Sequence, residues 1–405
     1  MRRETSIIIV AMLLSSLLAL SFDVQQVRAI ETIYIRADGS IYPPTASIVT
    51  ADNATYWFTN NMTDHLIIVE KDNITIDGAG YTLQGPGGGH GIDLTGRNNL
   101  TIRNMEVNNY LIGIYLDGSC YNKIEQITSI EGYPVSIGME DHSNYNVVTD
   151  CTLNSGRISI WNSSYNVITE NQLVTPVHIM HYSTFNRILR NNISSAVWVF
   201  DYSSNNTIAE NRIDGYVDSW AISISDYSHG NFLLGNQILN SEGIRLVHSS
   251  YNIIVGNTIG NNSLDLYLFV SHDNLLFHNN FVNNTQDVDS FPVNENLWDN
   301  GCEGNYWSNY TDSDLNGDGI GDTPYIIDEY NIDHYPLMNP FWNLGDLDHD
   351  LDVDIFDIVK AATIYGSTSV DPNWDPHCDI AEPYGIIDIF DIVVIASQYG
   401  EEYIP

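Results

Sequence analysis

The chain has 405 residues, room for two or three domains, and its 14 Lys+Arg against 52 Asp+Glu give a net charge of −38. So acidic a chain has no basic face with which to grip nucleic acid or an anionic membrane. Charged residues are nonetheless only 16% of the total, so the polar surface is built largely from Asn, Ser, Thr and Tyr, while 43% hydrophobic residues supply a sizeable core.

Arg2 and Arg3 precede an apolar run from Ile7 to Leu20 and a polar stretch ending Val27-Arg28-Ala29. A basic start, a short apolar run and small or aliphatic residues at −3 and −1 predict a secretory signal peptide over 1–29, cleaved after Ala29. The run is shorter than the roughly 18 residues of a spanning helix, and no later segment could span a bilayer, so the mature protein is expected outside the cytoplasm. Cys120, Cys151, Cys302 and Cys378 allow three disulfide connectivities, and their spacing fits no zinc pattern.

Residues 30–98 read as an N-terminal cap and first coils. Across 99–300 the chain repeats. An Asn after a Ser/Tyr-rich turn recurs at 73, 99, 122, 146, 166, 186, 206, 231, 252 and 274, with an aliphatic residue two positions on from 122 onward. At 73 and 99 the aliphatics fall at +1 and +3, a register different by one. A second Asn follows at 171, 191, 211, 236, 257 and 279, again with an apolar residue two further on. Before each turn lies a strand such as Ile158-x-Ile160, Val197-x-Val199 or Ile244-x-Leu246. Three short strands per repeat of 20 to 26 residues, rich in β-branched side chains and without a 3.6-residue period, predict a mainly β chain built as a parallel β-helix of about ten coils. Asn tolerates the left-handed backbone of a sharp corner, and stacked Asn side chains can form a hydrogen-bonded ladder along the axis.

Tyr34-Ile35-Arg36-Ala37-Asp38-Gly39-Ser40 and Asn73-Ile74-Thr75-Ile76-Asp77-Gly78-Ala79-Gly80 resemble the opening of NosD-like right-handed β-helix proteins. Asn305-Tyr306-Trp307-Ser308 and Asp318-Gly319-Ile320-Gly321-Asp322-Thr323-Pro324-Tyr325 resemble that family's closing segment. The resemblance covers roughly 30–340 and implies an extracellular, carbohydrate-associated coil. Copper is the other property the resemblance brings. A copper centre needs clustered His, Met or Cys, and His178, Met180 and His181 are close in sequence, but 178 and 181 fall in different columns of the coil.

Two acidic stretches have the spacing of calcium loops. Asp346, Asp348, Asp350, Asp352, Asp354 and Asp357 stand at positions 1, 3, 5, 7, 9 and 12 of a 12-residue loop, with Leu351 where Gly is usual. In the closing segment, 301–342, Asp314, Asn316, Asp318 and Asp322 offer oxygens at 1, 3, 5 and 9 with Gly319 at 6. Ile355-Phe356-Asp357-Ile358-Val359 is repeated 34 residues later as Ile389-Phe390-Asp391-Ile392-Val393. The duplication over 343–405 resembles a type I dockerin, a small α-helical calcium module, which implies docking to a cohesin-type domain. Its second loop is one residue too long and offers only Asp379, Asp388 and Asp391.

Two outward columns remain on the coil. One runs through Tyr115, Gly138, Ser159, His178, Trp198, Ser223, Arg245 and Tyr267, the other through Gly118, Asp141, Asn162, His181, Asp201, Asp226, His248 and Val270. Aromatic rings beside polar groups suit a sugar surface, which makes Tyr115, His178, Trp198, Arg245 and Tyr267 candidate ligand-binding residues. Asp201 and Asp226, with His181, are candidate general acid/base residues of a glycosidase, against the alternative of a polar turn facing water. The expected function is a secreted, calcium-binding protein that binds an extracellular polysaccharide or cell-surface glycan. A dockerin-recruited glycoside hydrolase or lyase and a structural surface-layer component are the alternatives.

Overall fold

The fold begins with what an Asn does inside a corner. In a computed structural model of the chain, Asn122, Asn146, Asn166, Asn186, Asn206, Asn231, Asn252 and Asn274 are buried one above another. Each backbone N–H donates to the Oδ1 of the Asn one coil on, at 2.9 Å from Asn122 through Asn252. A second ladder runs through Asn171, Asn191, Asn211, Asn236, Asn257, Asn279 and Asn305. The structure describes residues 31–400 apart from 130–133, 217–218, 292–293, 342–344, 346, 348–352, 369–370, 372, 376–377, 379–380 and 382–384. The expected signal segment lies outside the described residues.

The corner's left-handed residue is not the ladder Asn but the one before it: Tyr121, Tyr145, Tyr165, Phe185, Asn205 and Tyr251 have φ between 57° and 61°. The side chain that fills the corner and the backbone that makes it therefore belong to neighbouring residues. The one-residue offset at the start of the coil follows from this, because Asn73 and Asn99 occupy the left-handed site itself (φ 60° and 61°). Leu100 then takes the ladder position, and its N–H donates to Asn122.

Strands stack in parallel with unbroken inward columns. Ile102, Ile124, Val148, Ile168, Ile188, Ile208, Leu233, Ile254 and Leu276 are in register and have no exposed surface. A buried Ile or Leu stabilises by about 1.5–3 kcal/mol, so each coil adds its share by repetition. Among the described residues one sheet has thirteen strands, from Ile41–Tyr42 and Glu31–Ile35 to Val288–Phe291. It is parallel except where Ile41–Tyr42 turns back on Glu31–Ile35.

The open end is closed by aromatic rings and by the ladders' last partners. Phe281 stacks on Trp307 at 4.2 Å and Trp307 on Tyr325 at 4.3 Å. The first ladder ends on Asn331, which accepts from Asn296 and from Trp298 Nε1. The second ends on the Asp333 carboxylate, which accepts from Asn305 N at 2.7 Å and Trp307 Nε1 at 2.9 Å. A separate small cluster of Leu347, Val353, Ala361, Cys378, Ile387 and Ile395 holds two helices, Ile355–Thr363 and Ile389–Ser397.

Candidate functional site

The outward column of the long sheet has the expected register. Tyr115, Gly138, Ser159, His178, Trp198, Ser223, Arg245 and Tyr267 pair in succession. At its centre the His178 and Trp198 rings lie 4.8 Å apart and 11° from parallel. Burial, aided by Arg157, pushes the His178 imidazole down to about 4, so it backs the indole as a neutral ring. The next residue is Ser223, too small to cover the other face of the indole, and Trp198 stays 39% exposed. Arg245 lies one coil further and its Nη1 donates to Ser223 Oγ at 3.3 Å. Tyr267 follows, tilted against Trp220 at 5.7 Å. The result is a supported indole with a free face and hydrogen-bonding groups along one side, a geometry that can stack the apolar face of a pyranose ring.

Tyr115 does not join this strip. Gly138 and Ser159 separate it from His178, and it belongs to another cluster, with its ring 4.0 Å from His90 and its hydroxyl donating to Glu140. His90 Nδ1 in turn lies 3.4 Å from Asp93. His90 and Asp93 are the first and last residues of the strand His90–Asp93.

The second column is a column of corners. Asp141, Asn162, His181, Asp201, Asp226, His248 and Val270 all have left-handed backbone, with φ between 41° and 58°. His181 Nδ1 and Asp201 Oδ2 are 3.0 Å apart, each side chain about two-fifths exposed, and the His181 ring stacks on Trp161 at 4.5 Å. Asp226 stands on the following corner, where its carboxylate accepts from Ser225 Oγ at 3.1 Å. The structure thus joins His181 to Asp201 and turns Asp226 to its own neighbour.

Three features of the coil were missed from sequence. A groove of about 320 Å³ is lined by Tyr227, His229, His248, Ser250, Tyr251, Val270 and His272. The signal was His229 and His272 at corner positions that carry Ser or Thr in coils such as those of Ser164, Thr184 and Ser250. Arg157 lies on the same outward face as Trp198, and its Nε is buried without an acceptor. Asp265 is fully buried, and burial, with the Asp287 carboxylate as the next cause, pushes its carboxyl up to about 10. Neither Asp265 oxygen meets a donor in good geometry, although the Asn262 and Asn284 amides pull the other way.

The expected calcium ligands are otherwise engaged wherever they can be seen. Asp354 and Asp357 form a capping box on the first helix, and Asp388 and Asp391 do the same on the second. Asp357 also accepts from Leu347 N, and Asp391 from Ala381 N at 2.8 Å. In the closing segment Asp314 accepts from the backbone of Gly317, Asp318 and Gly319. Asn316 donates to Asp318, and Asp322 accepts from Ser313 and Leu315. Asp346, Asp348, Asp350, Asp352 and Asp379 lie outside the described residues. Among the described residues no three His, Cys, Asp or Glu side chains are grouped to hold a metal ion.

Fold and strip together define a parallel β-helix that carries an exposed indole stacked on His178. The model of the family described as "Periplasmic copper-binding protein (NosD)" matches residues 32–201 and 177–312, and the chain belongs to that family. It is 33% identical over 96 residues to the "Probable ABC transporter binding protein NosD" of Pseudomonas aeruginosa, covering 24% of this chain and 22% of the relative. To the protein of the same description from Stutzerimonas stutzeri it is 32% identical over 120 residues, covering 29% and 27%. The chain thus spans about a quarter of the length of these curated relatives. Among solved structures it is similar to a mutant of the periplasmic alginate epimerase AlgG (TM-score 0.40, 12% identity, 62% of this chain and 78% of that one). It is also similar to an alginate lyase from Paenibacillus sp. str. FPU-7 (TM-score 0.37, 14% identity, 57% and 90%). TM-scores below 0.5 at such identity assign this chain neither activity.

These findings overturn calcium as the expected cofactor: the family is described by copper, and the visible carboxylates are spent on helix caps and turns. The donor set does not fit copper either. His178 is half-buried and stacked on Trp198, Met180 is buried, and His181 is paired with Asp201 at the corner. Among the described residues these soft donors do not converge. No helix among the described residues is long and apolar enough to cross a membrane.

Proposed function

We propose that the protein is an exported polysaccharide-binding β-helix of the cell envelope or cell exterior, which holds sugar on the face centred on Trp198. The observation that carries this reading is the indole itself, backed by His178 on one side and left open over Ser223 on the other. A ring held parallel to its support has already lost its rotational freedom, so stacking a sugar on it costs little further ordering. The test is equilibrium depletion of the protein from solution by insoluble polysaccharides. Trp198→Ala should lower retention at least about tenfold on whichever polymer binds, the loss of roughly 1.4 kcal/mol. Unchanged retention on every polymer that binds would sink the reading.

The binding reading has more support than hydrolysis. The His181–Asp201 pair is a half-exposed hydrogen-bonded contact on a corner, and Asp226 is turned to its own Ser225. Release of new reducing ends by the wild type, lost in Asp201→Asn, would reverse that ranking. The C-terminal helices support a docking role beside glycan binding. Phe356 and Val359 on one, and Phe390 and Val393 on its repeat, are 47–62% exposed, and the repeat resembles a dockerin. A cohesin-type domain is the partner class to test, with Phe356→Ser/Phe390→Ser expected to abolish binding.

A further inference from the structure

The 52 acids of this chain are absent from one part of its surface. On the outer face of the long sheet, the column through His178 and Trp198 holds no Asp or Glu from Ser159 to Tyr267. The column two residues earlier, from Arg157 to Gly243, holds none, and neither does the one two residues later, from Trp161 to Phe269. Within these columns acids resume only at the ends, with Asp117 and Glu140 toward the N-terminus and Asp287 and Asp289 toward the C-terminus, while Asp201 and Asp226 border the patch on the corner next to Phe200 and Ser225. Asp265 opens the last strand of the patch, buried, and with its carboxyl pushed up to about 10 it adds no negative charge near neutrality.

Two guanidinium groups lie inside this acid-free patch, one on each side of the indole. Arg157 precedes it by two coils and acts on His178 electrostatically. Arg245 follows it by two coils. Among the described residues no carboxylate lies within ion-pair distance of either, nor of Arg187 on another sheet, whereas Arg36, Arg97, Arg103 and Arg212 each have one and Arg190 has two. A guanidinium is a planar fork of donors matched to a carboxylate, and among the described residues these two forks have no carboxylate within ion-pair distance.

Resting on the glycan-binding reading above, we propose that this face takes an acidic polysaccharide, a polyuronate whose sugar ring stacks on Trp198 while its carboxylates meet Arg245 and Arg157. With strands about 4.8 Å apart, each arginine lies on the order of 10 Å from the indole along the axis, within the reach of neighbouring residues of one chain. The protein's distant acids oppose approach of a polyanion. At physiological ionic strength the screening length is about 8 Å, so the local groups decide.

The experiment is affinity electrophoresis at physiological ionic strength through gels holding polygalacturonate, a sulfated galactan or a neutral glucan. The wild type should be retarded most by polygalacturonate. Arg245→Gln should weaken that retardation roughly tenfold, Arg245→Lys by less, and both should leave any retardation by neutral glucan unchanged. Matched thermal unfolding keeps the variants comparable, and Arg157→Lys tests the second fork. Equal retardation by neutral and acidic polymers, with Arg245→Gln behaving as wild type, overturns the acidic specificity and leaves glycan binding standing. Retardation by the sulfated polymer equal to that by polygalacturonate overturns the carboxylate assignment. Trp198→Ala matching wild type on every polymer overturns the glycan reading itself.

Discussion

Removing one rung of an Asn ladder should cost far more than removing one ordinary hydrogen bond. Asn191 sits mid-ladder. Its Oδ1 accepts from Asn171 N at 3.0 Å and Asn171 Nδ2 at 2.9 Å, while its Nδ2 donates to Ile168 O, Leu189 O and Asn211 Oδ1. Asn191→Ala keeps its backbone bond to Asn211 but strips the buried Asn171 N–H of its acceptor and two carbonyls of a donor. Each orphaned buried group costs about 1–3 kcal/mol, and some of these keep partial partners, so a loss of about 3–5 kcal/mol is expected. Asn191→Asp keeps the accepting oxygen but turns a second oxygen toward carbonyls, and should be at least as damaging. Urea unfolding followed by tyrosine fluorescence measures the loss, with native-state hydrogen exchange locating it, since a repeat chain can open in parts. A loss below about 1 kcal/mol, or exchange unchanged in the coils beside Asn191, would refute the view that the ladder holds the corner.

Two groups give stability opposite pH slopes. Burial raises Asp333 to about 6 against hydrogen bonds that oppose it; its stabilisation is complete below 3.8 and is lost as pH rises through 6, about 3 kcal/mol in all. Asp333→Asn should therefore gain on wild type across that window, and a pH-independent difference would contradict it. His178 is lowered to about 4, so its contribution is complete above 6.5 and is lost as pH falls through 4; His178→Gln should flatten that acid limb in thermal melts. Asp357 accepts from Leu347 N and Asp354 N, and Asp357→Ala should destabilise the two-helix unit by about 2 kcal/mol while leaving the coil's unfolding unchanged.

How much was legible depends on what the residues repeat. The coil could be read because Asn and Ile recur in a fixed phase, and even the one-residue offset at Asn73 and Asn99 was visible before its cause. That cause, a left-handed Tyr or Phe preceding a buried Asn, was hidden, because both residues belong to one turn and spacing alone does not say which bends the chain. The outward register of His178, Trp198, Arg245 and Tyr267 followed from the same phase. Arg157 was missed because its neighbour in register is Pro176, which breaks the residue pattern without breaking the strand. The acidic C-terminal stretch was ambiguous for a chemical reason. An Asp three residues before another spells a capping box as readily as part of a metal loop, and in the visible residues the backbone amides hold these carboxylates.

Radical footprinting of the tryptophans, with and without bound polysaccharide, tests the central claim most directly. Trp57, Trp161 and Trp198 are similarly exposed, at 36%, 39% and 39%, so they should be oxidised at comparable rates in the free protein. Bound polymer should protect Trp198 and leave Trp57, on the hairpin that opens the coil, unchanged. Uniform rates with and without polymer, under conditions where the protein is retained on it, would place the sugar elsewhere and contradict the account.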